Sequence, residues 1–138
     1  MNDLARILET IECARLARQA NDAAAMVALF APGARYRLAS GTAFLPASMT
    51  AERDAAEALT DMIKQFTFNT FEPHQVIVEG NLAALRMKVV TPGADDAPIE
   101  TEIASFWSFD EEGRITEIVD FVDTALVAQM IGKIESKD

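Results

Sequence analysis

Residues 106–123 read FWSFDEEGRITEIVDFVD, and this stretch decides how the chain folds. Residues 106–109 are aromatic and strand-prone, Asp110-Glu111-Glu112-Gly113 is polar, and its glycine can supply the positive φ a hairpin needs. Residues 114–122 then alternate, with Ile118, Asp120 and Val122 on one face and Val119, Phe121 and Asp123 on the other. Asp120 is the anomaly, a carboxylate set among β-branched and aromatic residues in mid-strand. Facing inward it needs a partner, because a buried unpaired charge is costly.

Working outward, two further strands are expected before this hairpin, over 70–79 and 82–90, with a turn at Gly80-Asn81 and a loop over 91–96. Pro73 places the first at a sheet edge or a bulge. The strand ending at Phe109 should begin at Ile99. Asp123 caps a closing helix with Leu126, Val127, Met130 and Ile131 apolar.

Upstream, Asn2-Asp3 caps a first helix carrying Leu4, Ile7, Leu8, Ile11 and Ala14 at helical spacing. Arg15 and Arg18 lie at its C-terminal end, where cations suit the dipole. A second helix is expected over 23–30, stopped by Ala31-Pro32-Gly33, then a strand over 34–38. Residues 39–49 read as a loop that holds Phe44 and Leu45, and Thr50 should cap a third helix with Ala55, Ala58, Leu59, Met62, Ile63 and Phe66 on its apolar face. The sum is one α+β domain over residues 1–138, with the N-terminal helices packed on the concave face of a cone-shaped, curved antiparallel sheet.

Composition narrows the function. Twenty-two acidic residues against twelve basic ones give a net charge of −10, which argues against nucleic-acid and anionic-membrane partners. No apolar run reaches the ~18 residues of a membrane span, and no signal core opens the chain, so a cytoplasmic location is expected. His74 is the lone histidine and Cys13 the lone cysteine, which leaves no multi-histidine or cysteine-cluster metal site within one chain; no cofactor is expected either. Cys13 reads as a buried thiol, and His74 as a surface residue at a strand start rather than an acid–base group.

The phrases NDAAAMVALFAPGARYRL (21–38) and GRITEIVDFVDTALVAQMIG (113–132), in this order of elements, resemble the nuclear-transport-factor-2-like superfamily, and within it the SnoaL-like domains. The resemblance implies a cone-shaped fold that hosts isomerases, cyclases, epoxide hydrolases and binding modules. Compared with limonene epoxide hydrolase, Asp120 and Asp123 match the aspartates of the last strand, Tyr36 the pocket tyrosine and Arg86 the arginine of a middle strand. Leu38 stands where that family has an asparagine, and Lys88 where it has an acid. The superfamily's steroid isomerases pair an aspartate base with a tyrosine donor, which Asp120 and Tyr36 resemble. SnoaL-type cyclases often carry a histidine-aromatic pair where this chain has Ile118-Val119.

Strand parity gives a second route to the same residues. Arg86, Lys88 and Val90 share one face with Ala84; Thr101, Ile103, Ser105 and Trp107 share one on the next strand; Ile118, Asp120 and Val122 share one on the last. If all three point inward, Asp120 is a base oriented by Arg86, Tyr36 a hydrogen-bond donor and Lys88 a counter-charge for developing anion. Leu38, Phe44, Val90, Thr101, Ile103, Trp107, Ile118 and Val122 would line a mostly apolar cavity of roughly 300–600 Å³, closed by the 39–49 loop. The expected ligand is a small hydrophobic carbonyl or cyclic molecule. Two alternatives stay open: an Asp120–Arg86 ion pair that only fixes register, and a non-catalytic binding module. Leu85, Met87 and Val89 then form, with Phe106 and Phe121, an outer apolar face suited to a homodimer packed through the sheet.

Overall fold

A computed structural model of the chain describes residues 3–39, 45–93 and 97–135. Helix α1 (Asp3–Gln19) buries Ile7, Ile11, Ala14, Ala17 and Arg18. Steps of four and three residues keep that stripe on one face; Leu8 falls outside it and is exposed, and Leu4, one turn ahead of Ile7 at the helix's N-terminal end, is exposed too. Cys13 also lies outside the stripe and is exposed, not a buried thiol.

Asp22 caps α2 (Ala23–Val27), its side chain accepting from the Ala25 amide at 3.0 Å. That helix stops earlier than its alanine content suggests, and the chain straightens into β1 (Phe30–Leu38). Ala31-Pro32-Gly33 does not end a helix. It lies within the strand, at an irregularity between Phe30 and Arg35, where Gly33 takes φ +75°.

The short α3 (Ala47–Thr50) and β2 (Arg53–Asp54) precede α4 (Ala55–Gln65). The α4 cap is Asp54, which accepts from the Glu57 amide at 3.0 Å; Thr50 instead ends α3. Four strands follow, β3 (Thr70–Glu79), β4 (Leu82–Pro92), β5 (Pro98–Phe109) and β6 (Ile115–Phe121), then α5 (Thr124–Glu135). Asp123 caps α5, accepting from the Leu126 amide at 3.1 Å.

The fold is α+β, a curved, unclosed six-stranded sheet in the order β2-β1-β6-β5-β4-β3 with helices over one face. β3 is an edge strand with its register shift beside Pro73, where a missing N–H is tolerated. The pairing is not wholly antiparallel: β1 runs parallel to β6, with Tyr36 beside Ile118 and Leu38 beside Asp120. A crossover through helices, unlike a hairpin, leaves a strand free to return in either direction.

Register overturns one face assignment. On β4 it is Ala83, Leu85, Met87, Val89 and Thr91 that are buried. Leu85 pairs with Ser105, Met87 with Ile103 and Val89 with Thr101, and residues directly opposite share a face. Arg86, opposite Ala104, and Lys88, opposite Glu102, therefore point outward. There Arg86 pairs with Glu102 at 2.8 Å and Lys88 with Glu100 at 2.5 Å. Val90, opposite Glu100, goes with them. The same shift moves Leu85, Met87 and Val89 from the expected outer face into the core. Phe106 and Phe121 remain outside, exposed and packed edge to face at 5.8 Å.

Candidate functional site

Three strands bring their polar side chains to one point. The parallel β1–β6 register carries Tyr36 to the side of Asp120, and the antiparallel β5–β6 register sets Ser105 directly opposite Asp120. All three are buried. The Tyr36 hydroxyl donates to Asp120 Oδ2 at 2.8 Å, and the Ser105 hydroxyl donates to Oδ1. Trp107 Nε1 donates to Ser105 Oγ at 2.6 Å. An indole N–H can only donate, so Ser105 accepts from Trp107 and its own proton is directed to Asp120.

These contacts set the electrostatics. Burial raises the Asp120 carboxyl above its ordinary value, against the opposing pull of Ser105, Tyr36 and the Arg18 charge. Burial, and then the neighbouring Asp120 charge, push the Tyr36 phenol well above its ordinary range, so it keeps its proton at neutral pH. Arg18 reaches the same region from α1. Burial draws its guanidinium down, while Asp120 and Tyr36 draw it back up.

A cavity of about 440 Å³ opens between the sheet and α4, α3 and α5. Leu38, Phe66, Val89, Ile103, Val122 and Val127 give it apolar walls, and Tyr36, Arg18, Thr91 and Thr101 are its inner polar groups. Near Met49 and Met62 stands an ion pair, Arg53 to Asp61 at 2.8 Å.

Of the residues singled out from sequence, Tyr36, Leu38, Thr101, Ile103 and Val122 lie on the cavity wall. Ile118 and Trp107 face the same side but are core residues behind that wall, as is Asp120 itself. Arg86, Lys88 and Val90 are not at the site; Arg86 and Lys88 border a surface groove with His74, Glu100 and Glu102. Phe44 lies outside the described residues, as does much of the 39–49 loop, of which Ser48 and Met49 reach the cavity and Leu45 is buried in the core. Arg18 was missed. Its signal was present, because 7, 11, 14 and 18 continue one stripe, but an arginine there reads as a dipole partner.

Residues 13–118 match the family model described as the SnoaL-like domain. No curated protein sequence matches the chain. Among solved structures, a candidate isomerase from Bacillus subtilis superposes with a TM-score of 0.77 at 18% identity, covering 96% of each chain. The LEH-like epoxide hydrolase of M. tuberculosis gives 0.66 at 15% identity, over 96% of this chain and 98% of its own. IdmH, a candidate polyketide cyclase from Streptomyces antibioticus, gives 0.67 at 22% identity, over 90% and 96%. At these identities the likeness is one of fold.

Proposed function

The chain belongs to the SnoaL-like domain family, and from that premise we propose that its cavity takes a small hydrophobic carbonyl or cyclic molecule and acts on it by proton transfer, as an isomerase, cyclase or hydrolase. The observation that carries this reading is the Tyr36–Asp120 hydrogen bond, which joins a wall residue of an apolar cavity to a buried carboxylate. Asp120 does not reach the cavity wall, so the proton passes through Tyr36. As Tyr36 Oη takes a proton from the substrate, its phenolic proton moves to Asp120 Oδ2, and the negative charge passes from the carboxylate to the substrate oxygen. The phenol never becomes a phenolate, which its buried setting would oppose. A carboxyl raised by burial is a better final acceptor than an ordinary one. Ser105, held by Trp107, fixes the carboxylate in place.

Tyr36→Phe removes the relay and keeps the ring. Turnover of any hydrophobic ketone, lactone or epoxide accepted by the wild type is expected to fall about 10²–10⁴-fold, with ligand affinity nearly unchanged. Undiminished turnover in that variant would refute the relay.

The second reading is a binding module with no reaction. It is favoured by the two hydroxyls that already occupy both oxygens of Asp120. Tight binding of such molecules, with none of them converted, would select it.

We also propose that a second copy packs on the outer sheet face, against Phe106 and Phe121, burying roughly 1,200–2,000 Å² in total. Phe121→Asp is expected to convert a dimer into a folded monomer in sedimentation experiments. A wild type that sediments as a monomer at micromolar concentration contradicts this.

A further inference from the structure

The proton relay makes no use of Arg18, yet its side chain borders the cavity and is only 6% exposed. Its guanidinium lies 4.7 Å from the ring centroid of Phe68 and 5.2 Å from that of Phe71. Among the described residues it makes no ion pair and no hydrogen bond, and its Nε is buried without an acceptor. Other arginines behave differently: Arg53, Arg86 and Arg114 each meet a carboxylate at 2.8 Å and are more exposed.

A buried guanidinium without an acceptor is unfavourable, and cation–π contact offsets only part of that. Asp120 attracts it, but the two are not in ion-pair contact, and both Asp120 oxygens already accept hydroxyl protons. Contact with the two rings restricts the planar group, so less of its freedom is left to lose on binding. The rest of the wall is mostly apolar, and its Asp61 and Asp123 carboxylates are engaged elsewhere, Asp61 with Arg53 and Asp123 with the Leu126 amide.

We propose that the cavity selects hydrophobic acids: the apolar body lies against Leu38, Ile103, Val122 and Val127, and an anionic oxygen, of a carboxylate or an acidic enol, is held by the Arg18 fork. The proposal rests on the cavity being a ligand site, and it adds the chemical class of the ligand. Arg18 is then a binding and specificity residue beside the Tyr36–Asp120 pair, with which it shares no hydrogen bond.

The test is calorimetry of the full chain with 2-naphthoate and 2-naphthamide, which share a shape and differ in charge. Wild type is expected to bind naphthoate ~10- to 100-fold tighter, the range for hydrogen bonds to a charged group. In Arg18→Met the preference is expected to vanish while naphthamide binds as before, and in Arg18→Lys to be partly restored, since an ammonium is a point charge and not a fork. Arg18→Met is also expected to melt at the wild-type temperature or above, because it removes a buried charge that lacks a partner; a merely structural arginine would lower it. Equal binding of the two probes by wild type overturns the proposal and leaves the cavity as a ligand site. So does a preference that survives in Arg18→Met. If neither probe binds wild type, the ligand site itself is overturned, and this proposal with it. The wild-type comparison decides even if a variant fails to fold.

Discussion

Asp120→Asn is expected to lower turnover about 10²–10⁴-fold and to change stability at neutral pH by only ~1–2 kcal/mol. The amide has the shape of the carboxylate but cannot receive the Tyr36 proton. The stability change is small because two effects oppose each other. One of the two donors, Tyr36 or Ser105, loses its acceptor to the amide NH₂, and the cost of burying a charge disappears. Arg86 does not enter this balance, since its carboxylate partner is Glu102 on the outer face.

The pH dependence follows from the direction of the Asp120 shift. A carboxyl whose pKa is higher folded than unfolded holds its proton longer in the native state. Its contribution to stability is complete below the unfolded value and is lost as pH rises through the folded one. Unfolding measured across the weakly acidic range should therefore show wild-type stability falling relative to Asp120→Asn as pH increases. A loss of 4 kcal/mol or more in the variant, with turnover intact, would make Asp120 a structural residue.

Met87→Asp is expected to destabilise the protein by about 4 kcal/mol or more, enough to leave much of it unfolded. Met87 is 2% exposed, opposite Ile103 in the core, so the new carboxylate would be buried without a partner. Arg86→Ala, one residue away on the outer face, should cost less than about 1 kcal/mol, the range for an exposed ion pair. Denaturant melts of the two variants report directly which face of β4 is inside. Comparable losses, or a larger one in Arg86→Ala, would contradict the register. The contrast also bears on the site, because the alternative register would put Arg86 in place of Leu85 opposite Ser105.

Much of this architecture is legible in the chain itself. The hairpin at Gly113, the helix cap at Asp123, the irregularity at Pro73 and the inward face of Ile118, Asp120 and Val122 are local matters. Turn chemistry, capping and a two-residue alternation with β-branched neighbours are set by residues close in sequence. Tyr36 and Asp120 were legible as site residues through the resemblance to the superfamily's epoxide hydrolases and steroid isomerases, although the expected partner of the carboxylate was Arg86. The β4 face was not legible, because that strand alternates two apolar sets, one interleaved with Arg86 and Lys88. Its own sequence permits either face, and a shift of one residue against β5 exchanges them. The pairing of Leu85 with Ser105 fixes the choice, and with it the partners of Asp120: the Ser105 hydroxyl joins that of Tyr36, and Arg86 is not among them. Arg18 is the same lesson in a helix. Its spacing in α1 was visible from the start, but its meaning arises only where α1 meets Phe68 and Phe71 beside the cavity. Side chains distant in sequence decide there whether a cation faces water or the interior.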